Sequence, residues 1–284
     1  MKTNQITRGA MVCAIYGVLL FLNQQTGLMI EASASWLFVF PVLIYTAMSG
    51  PKSGAIVGIA MALITFLLGG FTTWFYSWTS LITGYVYGLG LFYQWRNMTN
   101  FLICLVFSVL SNVCTVVVWS YLFGYDLVSE FESFRAIIPF IDMGVFIILF
   151  VAFLSLLQAL CIHLVSLMIC IRMHLPYRPL TPISQQKSSK VVGIVSLFIW
   201  GIFFLSQNVI ECSKGVLDII MLIWLFDCAL LLYYGVIYFM YHSIKRNNRQ
   251  FSFLAIFLAF VPGINLLWML MGELDCLFQL RKKV

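Results

Sequence analysis

Of the 284 residues, 62% are hydrophobic and only 9% are charged, with 16 Lys and Arg against 10 Asp and Glu. A soluble domain carries roughly 25% charged residues, so most of this surface is built to face something other than water. Apolar runs long enough to cross a hydrocarbon core need about 20 residues. The runs here are continuous rather than alternating, which excludes a barrel and predicts spanning helices.

Stretches free of Lys, Arg, Asp and Glu place the spans in chain order. Residues 9–30 form the first and 32–51 the second. Residues 53–95 hold two, with the turn at Gly69-Gly70 before Thr72-Thr73. Residues 97–125 and 143–171 give the fifth and sixth, 191–210 the seventh. The eighth, 217–241, is interrupted by one acid, Asp227. The last apolar run, 250–272, either crosses a ninth time or turns back at Pro262-Gly263 as a short hairpin. The crossing is slightly preferred, although it strands Arg281, Lys282 and Lys283 on the outer side. The polar stretch 173–190, with Pro176, Pro179 and Pro182, reads as a semi-rigid linker. It divides a six-helix unit, 1–172, from a smaller helical unit, 191–284. The other long connection, 123–139, carries acids and reads as a solvated outer cap. The expected fold is an all-α polytopic bundle.

Basic residues favour cytoplasmic loops. With the N-terminus inside, Lys2, Arg8, Lys52, Arg96, Arg172, Arg178, Lys187, Lys190, Lys245, Arg246 and Arg249 fall on the cytoplasmic side. Only Arg135 and Lys214 fall outside, together with Glu31, Asp126, Glu130, Glu132, Asp142, Glu211 and Asp218. The net charge of +6 thus follows from topology and implies no nucleic acid, while Lys245, Arg246 and Arg249 are placed to touch anionic headgroups. The first run lacks a small-x-small cleavage site and is as long as a span, so no cleavable signal is expected. The eight cysteines form no Cys-x-x-Cys pair and read as small apolar side chains. No metal, cofactor or catalytic motif is present in the sequence, and an enzyme is not expected.

Thr7-Arg8-Gly9-Ala10, Phe40-Pro41 with Ile44-Tyr45-Thr46, Lys52-Ser53-Gly54 and Phe66-Leu67-Leu68-Gly69-Gly70 resemble the YybS-like family of multi-pass bacterial membrane proteins. The chain end, Gly272-Glu273-Leu274-Asp275 then Arg281-Lys282-Lys283, is similar to that family's closing pattern. The resemblance implies a bacterial cell membrane. It also implies an N-terminal half like the substrate-capturing S components of energy-coupling factor transporters. Those proteins bind a small molecule on the outer side and dock on a coupling membrane subunit with two ATPases. In them, alanines of the first helix make that contact, which here corresponds to Ala10 and Ala14. The C-terminal helical unit is an addition that a minimal S component lacks.

Three groups of residues are candidates for function. Small residues at four-residue spacing, Ala10 and Ala14 in the first span and Gly54 and Gly58 in the third, permit close helix contact, with a partner or within the chain. Asn23, Gln24 and Gln25, with Trp36, Trp74, Tyr76 and Trp78, line an expected outer vestibule for a flat, weakly charged ligand. The alternative for the tryptophans is an interfacial aromatic belt. Asn112, Gln158 and Asp227 fall near mid-membrane, where a carboxylate costs about 2.5–3.5 kcal/mol to insert. Asp227 is read either as a protonated acid bonded to Gln158 or Asn112, or as a proton-coupling group, with His163 within reach. The functional expectations are an S-subunit-like transport component, a non-transporting scaffold or regulator, or a proton-coupled carrier using Asp227.

Overall fold

A computed structural model describes residues 3–124, 131, 142–175, 177–179, 186, 188–208, 213–246, 249–259, 261 and 263–282. Most of the expected cap, 123–139, much of the linker, and Glu211, Cys212, Pro262 and Lys283 therefore lie outside the described residues. Among the described residues all regular structure is helical, and seven segments are long and apolar enough to cross a membrane. The protein is a polytopic helical bundle. It divides into two compact units, 1–179 and 180–284, at a point inside the proline-bearing stretch.

In the first unit, α1 (Thr3–Gln25) leads through the short α2 (Met29–Ala34) and a 3-10 turn (Ser35–Phe38) into α3 (Val39–Ser49). The expected second span is therefore kinked. Pro41 stands in the first turn of α3, where its missing N–H is tolerated, but its ring crowds the carbonyl four residues back and blocks a continuous helix. Then follow α4 (Pro51–Leu68), α5 (Gly70–Phe92), α6 (Asn97–Phe123) and α7 (Met143–Arg172). Pro51 opens α4 at the position where a helix tolerates it. Asp142 caps α7 by accepting from the Gly144 amide at 3.0 Å.

The hub is α3, which packs on α1, α4 and α5 and is buried along most of its length. Two close approaches seat α5 on it. A Cβ at Gly84 would overlap the Val39 carbonyl, and one at Gly88 would lie 2.8 Å from the Leu43 carbonyl oxygen. Tyr16, Phe38, Tyr45 and Met61 fill the core on one side of α3; Leu43, Tyr87, Leu91 and Ile162 fill the other. At 23 residues α5 is long enough to cross, yet it is not among the seven segments apolar enough to do so, because its Thr, Ser and Gly residues lower its hydropathy. Those residues are the buried ones. An interior helix needs no lipid-compatible surface there, which explains why its polar face survives in a membrane bundle.

In the second unit, α8 (Lys190–Asn208) and α9 (Lys214–Lys245) form an antiparallel pair, with Trp224 stacked on Phe203 at 4.3 Å. The last apolar run is not one crossing helix. It breaks into α10 (Arg249–Leu258) and α11 (Ile264–Phe278) around Gly263, whose φ is 88°. At 1.5 Å per residue these are about 15 and 22 Å long, both short of a roughly 30 Å core. After α11 the chain turns back, and the Arg281 guanidinium donates to the Gln186 carbonyl at 3.1 Å, just before α8 begins. The expected single ninth crossing helix is thus corrected to two short helices, each packed on α9. Gly235 of α9 and Gly272 of α11 let the two backbones touch, while Trp268 stacks on Phe239 at 4.2 Å and donates to the Ala255 carbonyl at 3.0 Å.

Candidate functional site

The residues expected to line a vestibule gather at one end of the first unit, where α1 ends, α2 and the 3-10 turn lie, and α4 passes into α5. Gln24 donates its side-chain amide to the Leu68 carbonyl, closing α1 onto the end of α4. Gln25 is exposed. Trp36, Trp74, Tyr76 and Trp78 are all half-buried. Trp36 meets Phe40 edge-on at 5.9 Å, Trp74 lies against Phe66 and Phe71, each at 6.3 Å, and Tyr76 meets Phe75 at 5.7 Å.

Asn23 departs from the expectation of an open ligand group. It is fully buried. Its amide donates to Glu31 Oε2 at 2.8 Å, its Oδ1 accepts from the Glu31 backbone N–H at 3.0 Å, and its carbonyl accepts from the Leu28 N–H at 2.8 Å. These bonds make it a latch between α1 and α2, and its complete burial keeps it away from an outer ligand. Glu31, read from sequence as an outer-face charge, is the buried partner the reading missed. The signal was present in the spacing: an amide and a carboxyl eight residues apart around Gly27, which permits the sharp return. Beneath this end lies a hydroxyl group cluster. Tyr16 and Thr65 share a hydrogen bond of 2.7 Å, Ser77 stands within reach of the Tyr16 hydroxyl, and Thr73 is buried beside them.

Deeper in the unit the polar side chains pair across helices. Asn112 donates to Ser155 at 2.9 Å and Gln158 at 3.2 Å, joining α6 to α7. Thr79 and Ser111 join α5 to α6 at 2.9 Å. His163 Nδ1 pairs with the Tyr87 hydroxyl at 2.8 Å, so its partner is on α5 and not Gln158 on its own helix. Sequence reading missed this hydroxyl-bearing face of α5, although Thr73, Ser77, Ser80, Gly84 and Gly88 recur at helical spacing.

Asp227 has a partner within the second unit: its Oδ2 accepts from the Ser196 hydroxyl at 2.7 Å. Glu273 on α11 is close enough to both Ser196 and Asp227 to interact with them. Nearby, Asp275 and Arg281 make a buried ion pair with an N–O distance of 2.6 Å. Arg281, read from sequence only as part of the basic chain end, is an interior cation with its own counterion.

The small residues divide by direction. Ala10 and Ala14 are exposed on α1, and a Cβ at Gly17, on the neighbouring stripe, would meet nothing within 4 Å. Gly54 is buried, and a Cβ there would collide with Thr46 of α3, while one at Gly58 would reach ordinary contact with Val42 at 3.5 Å. The glycine pair therefore packs α4 on α3, the within-chain one of the two alternatives and not the partner contact. Among the described residues no three His, Cys, Asp or Glu side chains group as metal ligands. No protein-family model, curated protein or solved structure matches the chain.

Proposed function

We propose that the first unit captures a small molecule at the Gln25 end of α1, on the outer side of a bacterial cell membrane. We further propose that it docks through α1 on a coupling membrane subunit served by two ATPases. The observation that carries this reading is the open Ala10–Ala14 face of α1. The opposite face of the helix, with Gly9, Tyr16, Leu20 and Asn23, is turned into the bundle. In lipid, where no hydrophobic effect drives helices together, small side chains are what lets a second helix approach closely. Gln24, Gln25 and the half-buried rings of Trp36, Trp74, Tyr76 and Trp78 supply aromatic walls with neutral polar groups, a lining suited to a flat, uncharged ligand. Asn23 contributes by holding α2 in place.

The test is purification of the tagged protein from its native membrane in mild detergent, followed by mass spectrometry of what accompanies it. A coupling subunit and its ATPases are expected with the wild type and absent with Ala14→Trp, while ligand binding by the variant is retained. Reproducible absence of those subunits from the wild type would remove the reading.

A further inference from the structure

The second unit holds a charge arrangement that the reading above neither uses nor needs. Asp227 is 7% exposed, and its partner Ser196 is completely buried. Both carboxylate oxygens of Glu273 are shut away and accept no hydrogen bond, although Ser196 and Asp227 are its neighbours. Ser196 has one proton to donate, and Asp227 takes it at 2.7 Å. A lone hydroxyl cannot satisfy two carboxylates.

The other titratable groups on the packed elements do not close the gap. On α9, Cys228 adjoins Asp227, and Tyr233 and Tyr234 face the Arg281 side. On α11, Cys276 stands within reach of Glu273, Asp275 and Arg281. None of these carries a positive charge. Arg281 does, but its guanidinium is bound to Asp275 Oδ2 at 2.7 Å and to the Gln186 carbonyl at 3.1 Å. Two close carboxylates in a dry interior do not both stay ionised without a positive charge between them.

We propose that Asp227 and Glu273, with the Ser196 hydroxyl, form a binding site for one monovalent cation, supplied as a proton or as Na⁺. The ligand atoms are hard oxygens from three helices, α8, α9 and α11, so occupancy ties α11 to the α8–α9 pair. Emptying the site leaves two repelling charges and loosens α11.

Melting of the purified full chain in detergent tests this in two series. One varies pH from acidic to mildly alkaline in sodium-free choline buffer. The other adds NaCl at alkaline pH and constant ionic strength. A proton site predicts a melting temperature that falls as pH rises, by roughly 2–4 °C for each kcal/mol of coupling. A sodium site predicts a rise with NaCl. In Glu273→Gln the operative response should be lost. If that variant does not fold, labelling of the wild type with dicyclohexylcarbodiimide decides, because the reagent modifies protonated carboxyls in apolar surroundings. Labelling of Glu273 or Asp227 that declines with rising pH or added Na⁺ supports the site. Equal melting responses in wild type and Glu273→Gln overturn it, as does labelling indifferent to both cations where the variant fails.

Discussion

The two units bury polar groups in opposite ways. In the first, the interior polar contacts between long helices are nearly all neutral: Tyr16 with Thr65, Thr79 with Ser111, Asn112 with Ser155 and Gln158, and Tyr87 with His163. Each is satisfied locally, and together they tie α1 to α4 and join α5, α6 and α7 to one another. In the second unit the interior is charged, with Asp227, Glu273, Asp275 and Arg281 close together on α9, α11 and the chain end. Neutral pairs are worth about 0.5–1.5 kcal/mol each and respond little to solution conditions. Buried charges are costly to leave unpaired and change with their counterions. Apart from Glu31, latched to Asn23, the first unit is framed by neutral contacts, and the second gathers buried charge on α9, α11 and the chain end.

The largest expected effects test whether the two units share one packing rule beneath this difference. Gly84→Leu in the first unit and Gly235→Leu in the second each push a side chain into a facing backbone, Val39 and Trp268 respectively. Overpacking ordinarily costs about 1–3 kcal/mol, and more where the obstacle is backbone that cannot move. Neither variant should give a monodisperse peak in detergent size-exclusion chromatography. Next in size, Arg281→Met strands Asp275 and should destabilise by about 3–5 kcal/mol. The double variant Arg281→Met with Asp275→Leu should recover much of that loss in a melting experiment. Failure to recover would mean that the Gln186 contact, and not charge, holds the chain end.

A smaller effect belongs to the first unit. Tyr87→Phe removes the hydroxyl from His163 and should lower stability by about 1 kcal/mol, with little dependence on salt in the series used for the second unit. A strong salt dependence would erase the distinction between the neutral frame and the charged unit. The smallest is Ala10→Leu, which should leave the melting temperature of the isolated protein within about 0.5 kcal/mol of the wild type. A larger loss would show that α1's open face is covered within the chain.

Much of the architecture was legible in sequence because a bilayer makes composition decisive. Every spanning segment must be apolar and internally hydrogen-bonded, so the all-α class, the long helices and the turn at Gly69-Gly70 follow from residues 9–241 read one after another. Asn112 and Gln158 were also recognisable, since an amide at such depth needs a partner and few are available. The break in the last apolar run was less legible: Pro262-Gly263 allowed a turn without requiring one.

Direction was not legible at all. Lipid tails and protein interior are both apolar, so the sequence of a membrane helix does not say which face meets which. Only the tertiary structure turned Ala10 and Ala14 outward and Gly54 and Gly58 inward, and closed Asn23 on Glu31. Only it brought Glu273 to Asp227 and Ser196, residues from three separate helices, and gave Arg281 to Asp275. The sequence alone determined that this chain lives in a membrane as helices, because solvent chemistry acts on every residue independently. Which polar groups meet inside depends on how the helices pack together, and that is a property of the folded bundle.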